Sequence, residues 1–129
     1  MKPSLLTVMS VISIVLFSIH VADDIVRGIE PGTAANLPAI PILLVWLCGA
    51  LLLAEKRLGH VIMLLGALLA SVVPVLHLRG AGVGGAVARS DGAILFIWTL
   101  FALGVTGTFA AMLAVRGLWI MRPSNPGAD

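Results

Sequence analysis

The residues with the clearest chemical potential lie at the end of the first apolar segment, within residues 18–27. If this segment is helical throughout, His20 and Asp24 share one face, because residues four apart are neighbours on a helix. Asp23 and Arg27 have the same spacing and share the adjacent face. An imidazole beside a carboxylate can bind a metal ion or carry a proton, so this face is the first candidate for a site.

Two further ionisable residues belong to the same level if the apolar segments alternate in direction. His77 ends the third segment, and Asp91 opens the fourth. Two histidines and a carboxylate form a known ligand set for zinc and other divalent transition metals. We therefore expect His20, Asp24 and His77 to form a metal or proton site, with Asp91 as a further candidate. Two histidines on facing helices are also able to hold a haem iron.

A second interpretation of these residues involves no ligand. Asp23 and Asp24 would mark the end of a helix among lipid headgroups, with Asp23 paired to Arg27. His20 and His77 would bury their ring carbons and keep their polar tips in water. His60 does not belong to this group, because it lies 17 residues before His77, or about 25 Å along a helix. We interpret His60 as an interfacial residue.

The elements that position these residues follow from hydropathy. Of the 129 residues, 60% are hydrophobic and 11% charged, whereas a soluble domain has about 25% charged residues. No Lys, Arg, Asp or Glu lies in the middle of the four apolar segments, which cover about 5–22, 37–54, 58–78 and 92–115. Each segment is long enough to cross a bilayer as a helix. The predicted fold is therefore an all-α, integral membrane four-helix bundle in up-down-up-down order, forming one domain over 1–129 with a loosely ordered tail at 122–129.

The distribution of basic residues predicts the orientation of this bundle. Five lie on one side: Lys2, Lys56, Arg57, Arg116 and Arg122. Three lie on the other: Arg27, Arg79 and Arg89. Cytoplasmic loops are enriched in Lys and Arg, so both termini are predicted to be cytoplasmic, in a cell membrane or inner membrane. The candidate site then lies at the non-cytoplasmic mouth.

Small residues and aromatic residues predict how the helices pack. Gly107 and Ala111 are four residues apart in the last segment, a spacing that favours close helix contact or a dimer. Ser90 or Asp91 is a suitable N-cap for that helix. Four aromatic residues lie within the segments and either pack in the bundle or line a pocket for a small apolar ligand: Trp46, Phe96, Trp98 and Phe101.

Composition also limits the class of function. Cys48 is the only cysteine, which excludes an internal disulfide. The formal charge of +2 gives no indication of nucleic-acid binding, and the sequence has no basic cluster interleaved with aromatic residues. An enzyme is not favoured, because neither a nucleophile with its base nor a multi-histidine cluster is evident. We expect a small membrane protein that binds or transports a cation, a proton or a small apolar ligand. The alternative is an accessory subunit that packs against a larger membrane partner and has no chemistry of its own.

Overall fold

The computed structural model describes residues 4–29, 32–78, 83, 85 and 87–122. Its four α-helices are α1 (Leu5–Val26), α2 (Ala39–Leu51), α3 (Arg57–Leu78) and α4 (Ala93–Ile120). Two short 3-10 turns, Ala34–Asn36 and Val87–Arg89, precede α2 and α4, and the described residues contain no strand. The predicted all-α four-helix bundle is confirmed. Lys2, Glu30, Arg79 and nearly all of the predicted tail lie outside the described residues.

Helix contacts give the order of the bundle. Each helix packs against the next along the chain, and α1 also packs against α4, which closes the ring. The C-terminal ends of α1 and α3 meet, since His20 and His77 are in ring contact. At the opposite end, Gly117 of α4 packs against the His60 ring near the start of α3. Neighbouring helices are therefore antiparallel, and His77 reaches the same level as His20.

Three helices are long and apolar enough to cross a membrane: α1, α3 and α4, with mean hydropathies of 2.3, 2.4 and 1.9. The α2 helix has 13 residues, or about 20 Å, and so covers less than the predicted 37–54 segment. It ends early because the chain turns at Leu53, whose backbone lies directly against Gly59 of α3. Only a residue without a side chain allows this approach, so Gly59 fixes the hairpin between α2 and α3.

Small residues bring α3 and α4 together. A Cβ atom added at Gly107 would lie 2.7 Å from the Ala70 Cβ and 2.9 Å from the Ala67 carbonyl oxygen. Ala67, Ala70 and Ala110 are fully buried in the same interface. The predicted contact through Gly107 therefore exists within one chain, and close backbone approach replaces the large apolar core of a soluble bundle.

The distribution of polarity also fits a membrane protein. Large apolar side chains are exposed on every helix, whereas the buried polar residues lie on the inner faces of α1 and α4: Thr7, Ser10, Ser13, His20, Asp24 and Thr99. Trp46 and Phe96 are buried, but Trp98 and Phe101 are 71% and 48% exposed. The four aromatic residues therefore do not line one common pocket, because Trp46 of α2 and Phe96 of α4 lie inside the bundle, whereas Trp98 and Phe101 lie on the outer side of α4.

Candidate metal centre

The end of α1 is fixed by its backbone, which holds Asp24 in the last helical turn. Gly28 follows the C-cap with φ 70°, in the left-handed region that glycine adopts without strain. The Ile29 N–H donates to the Asp24 carbonyl at 2.9 Å, and the Gly28 N–H donates to the Ile25 carbonyl at 3.1 Å. This pair of bonds is a Schellman motif. It keeps α1 helical beyond Asp24, so that His20 and Asp24 share one face as predicted.

On α3, His77 is positioned by Pro74 and by a backbone acceptor. The helix continues through Pro74, whose ring packs against Gly104, where an added Cβ would lie 2.7 Å from the Pro74 Cγ. One turn later, the His77 Nδ1 lies 3.0 Å from the Val73 carbonyl oxygen. The ring is thereby oriented with its Nε2 atom away from its own helix and toward α1.

The structure brings His20, Asp24 and His77 together. The Asp24 Oδ2 lies 3.2 Å from the His77 Nε2 and 3.4 Å from the His20 Nε2. The two imidazole rings are 4.7 Å apart, edge to face. One ligand atom from each residue lies within 4.8 Å of the others. Two elements distant in sequence thus direct three metal-binding side chains at a single point.

The hydrogen bond to Val73 determines which His77 nitrogen is free. A carbonyl oxygen only accepts, so this contact is a hydrogen bond in the tautomer whose Nδ1 carries the hydrogen and donates it. In neutral His77, the Nε2 lone pair then faces the Asp24 carboxylate oxygen, which is also an acceptor. Two acceptors at 3.2 Å repel unless a positive charge lies with them. Either a proton shared between the His77 Nε2 and the Asp24 carboxylate or a metal ion between the two groups supplies that charge.

Burial of the cluster strengthens the need for a positive charge between these groups. His20 and Asp24 are 2% and 5% exposed, and among the described residues the Asp24 Oδ1 and both His20 ring nitrogens have no hydrogen-bond partner. The His20 Nε2 is close enough to Asp24 for an ion pair, but it is not aligned for a hydrogen bond. A buried carboxylate with so few donors is costly, and a bound cation is the usual compensation.

Arg27, three residues after Asp24, does not pair with it, because its guanidinium is engaged elsewhere. Its Nε donates to the Asp23 Oδ2 at 2.7 Å, which confirms the predicted Asp23–Arg27 pair. The Nη1 donates to the Ser90 hydroxyl at 2.7 Å and to the Asp91 carbonyl at 3.2 Å, and the Nη2 donates to the Gly92 carbonyl at 3.0 Å. Arg27 therefore joins the end of α1 to the beginning of α4.

Asp91 does not contribute its carboxylate to the cluster, so that expectation was wrong. The chain turns at Gly92, with φ 74°, and α4 begins after it without a side-chain cap. Asp91 is exposed and offers its backbone carbonyl to Arg27 instead. The expected N-cap at Ser90 or Asp91 is also wrong, because the Ser90 hydroxyl donates backwards to the Val87 carbonyl.

The Phe96 ring packs against both histidines of the site, a contact that the sequence did not indicate. Its ring lies 5.6 Å from the His20 ring and 5.7 Å from the His77 ring, and the Arg27 guanidinium lies 5.6 Å from its centre. The sequence presents Phe96 only as one aromatic residue among four. No spacing rule links it to residues on two other helices, so only packing could reveal this contact.

The distances suit a small metal ion better than a haem. Ligands bound to a tetrahedral zinc ion at about 2.0–2.1 Å are about 3.3–3.4 Å from one another. The two distances to Asp24, 3.2 and 3.4 Å, match this edge length. The three ligand atoms together lie within 4.8 Å of one another, so a bound ion would draw the two histidine rings closer to each other. A porphyrin does not fit between two rings that are already in contact, so the haem alternative does not agree with the geometry.

His60 lies apart from these residues, at the other end of α3, as expected. Its Nδ1 lies 3.3 Å from the Lys56 carbonyl oxygen, and its ring packs against Gly117. His60 is therefore a histidine in a similar helical setting that has no carboxylate partner among the described residues, which makes it a matched control for the cluster.

The comparisons with known proteins add no assignment to this geometry. No protein-family model, curated protein or solved structure matches the chain. What the cluster does must therefore follow from its own residues. The three side chains form a buried arrangement of two imidazole nitrogens and one carboxylate that requires a proton or a metal ion.

Proposed function

We propose that this chain is a multi-pass membrane protein that binds one divalent transition-metal ion through His20, Asp24 and His77 at the non-cytoplasmic mouth of its bundle. The observation that carries the proposal is the Asp24 Oδ2 atom, which faces two imidazole nitrogens at 3.2 and 3.4 Å and, among the described residues, is paired with no Lys or Arg side chain. In lipid, where water does not solvate a buried carboxylate, such a group needs a cation.

The donor set indicates the class of metal. Two imidazoles and one carboxylate suit zinc, copper, iron and manganese, whereas magnesium and calcium prefer oxygen ligands alone. Three protein ligands leave a tetrahedral ion one further position, for water or an exchanging ligand. His77 is the most accessible of the three, with 18% of its side chain exposed, so the ion exchanges from that side. This arrangement fits binding or delivery of an ion better than a closed structural site.

A proton is the second candidate cation, since it also relieves the contact between the His77 Nε2 and the Asp24 Oδ2. The two candidates differ in a measurable way. A metal requires all three ligands and competes with other metals, whereas a proton is shared within the His77–Asp24 pair and leaves no bound ion. Direct metal analysis therefore separates them.

The test is a metal titration of the purified, chelator-treated full-length protein. We expect one Zn²⁺ or Co²⁺ ion per chain, with Co²⁺ giving the intense visible absorption of a four-coordinate site, and no competition from excess Mg²⁺. The matched control is His60→Ala, which should bind metal as the wild type does. If the wild type binds no ion and co-purifies with another membrane protein, the accessory-subunit interpretation replaces this proposal.

The proposed orientation has a separate test. A reporter fused after Asp129 should be cytoplasmic, and one inserted at Gly84 should be external, because four of the six Lys and Arg residues that the structure describes lie at the end of the bundle away from the metal cluster. The alternating order requires the short α2 helix and its flanking turns to return the chain to the cytoplasmic side. Both reporters are to be compared with one at Glu55, in the α2–α3 hairpin, which should also be cytoplasmic. An external Glu55 reporter would show that α2 does not complete the crossing.

A further inference from the structure

A second site is suggested by an apolar groove on the outer surface of α3 and α4. The groove has a volume of about 760 Å³, and its apolar walls include Leu64, Leu68, Met112 and Ile120. Its two hydroxyl groups, from Ser71 and Thr108, donate to the carbonyls of Ala67 and Gly104 on their own helices. Because these hydroxyls are already satisfied, the groove offers a hydrocarbon surface everywhere except at its Arg116 end.

The length of the groove matches one leaflet of a bilayer. Along α4 its lining extends from Thr108 to Ile120, or about 18 Å. Half of the hydrocarbon core of a bilayer is about 15 Å thick. The groove therefore extends from the middle of the proposed membrane to the end of the bundle that carries most of the described basic residues. A lipid acyl chain in one leaflet covers the same span.

That end of the groove is positively charged. Arg116 lines the groove itself, and Arg57 and Arg122 line a smaller recess that shares Val115 and Trp119 with it. The Arg122 guanidinium lies 4.2 Å from the centre of the Trp119 ring. Within the described part of the chain, none of these arginines forms an ion pair, and Glu55 is the single carboxylate at that end.

We propose that this groove binds an anionic phospholipid of the cytoplasmic leaflet, with an acyl chain between α3 and α4 and the phosphate against Arg116 and Arg122. Arginine forms paired hydrogen bonds with phosphate oxygens, and tryptophan is suited to the headgroup level. Basic recesses between membrane helices on the cytoplasmic side bind acidic headgroups by this combination of charge and apolar contact. A zwitterionic lipid fills the same groove but gains less from the arginines.

This inference rests on the proposed membrane placement and not on the metal site. The test is native mass spectrometry of the full-length protein titrated with phosphatidylglycerol or with phosphatidylcholine. We expect Arg116→Gln and Arg122→Gln each to weaken phosphatidylglycerol binding about fivefold, and the double variant about 25-fold, with a smaller loss of phosphatidylcholine binding in each variant. Lys56→Gln is the matched control, because Lys56 is a basic residue of the same end that does not line the groove.

Two outcomes would overturn the proposal. One is equal retention of phosphatidylglycerol and phosphatidylcholine by the wild type. The other is an equal loss of phosphatidylglycerol binding in Lys56→Gln, which would indicate general charge attraction and no defined site. His77→Ala should leave lipid binding unchanged, so failure of the metal proposal and failure of the lipid proposal are distinguishable.

Discussion

Asp24→Asn should reduce metal affinity by more than about 100-fold while leaving the metal-free protein at least as stable as the wild type. Loss of a group that only supports a metal ligand typically costs 10–100-fold in affinity, so loss of the ligand charge itself should cost more. Without metal, the wild type buries a carboxylate whose Oδ1 has no partner among the described residues. The asparagine variant has nearly the same shape and removes that charge, so its free energy of unfolding should not fall.

The measurement is a pair of melting curves, one with a chelator and one with excess Zn²⁺. At a metal concentration 100 times the dissociation constant, the wild type should gain about 2.7 kcal/mol, and Asp24→Asn should gain almost nothing. His20→Ala and His77→Ala should also lose the stabilisation by Zn²⁺. Each of them also leaves a cavity that lowers stability without metal, whereas Asp24→Asn keeps the side-chain volume and changes only the charge. His60→Ala should keep the full gain. A large loss of stability in Asp24→Asn with the chelator present would favour the proton-bound pair over the metal.

Gly107→Leu should destabilise the bundle by more than about 3 kcal/mol, or prevent its folding, because overpacking alone typically costs 1–3 kcal/mol and here the clash includes backbone. A Cβ at position 107 would already lie 2.9 Å from the Ala67 carbonyl oxygen and 3.0 Å from the Ser71 backbone nitrogen. Neither backbone atom is able to move without separating α3 from α4. The remaining carbon atoms of the leucine side chain would add further steric clashes with α3.

The control for this prediction is Leu65→Ala on α3. Leu65 is 63% exposed, so its truncation should change stability by less than about 1 kcal/mol in a detergent melting assay. The metal titration adds a second readout, because His77 is carried by α3 and its contact with Asp24 depends on how α3 packs. Gly107→Leu protein that remains folded should therefore bind metal more weakly. Similar melting temperatures for Gly107→Leu and Leu65→Ala would show that the two helices are not held at position 107.

The sequence by itself determined the helical class of the fold and the pairing of His20 with Asp24. Long apolar segments without central charges leave the helix as the element that satisfies its own backbone in lipid, and this holds whatever the neighbours are. The four-residue spacing of His20 and Asp24 depends only on helix geometry. Bringing His77 to their level needed one more assumption, that short connections make successive helices antiparallel.

The tertiary structure alone decided which side chains face one another. Asp91 was expected near the cluster, but its place depends on the turn at Gly92 and on the bonds of Arg27, which no periodicity in the loop indicates. The early end of α2 follows from the contact between Leu53 and Gly59 on different helices. Phe96 reaches both histidines because close packing fixes the rotation of α4 about its axis. Hydropathy places a residue at a depth in the membrane, but the direction of its side chain within the bundle depends on that rotation, which is set by contacts between residues far apart in sequence.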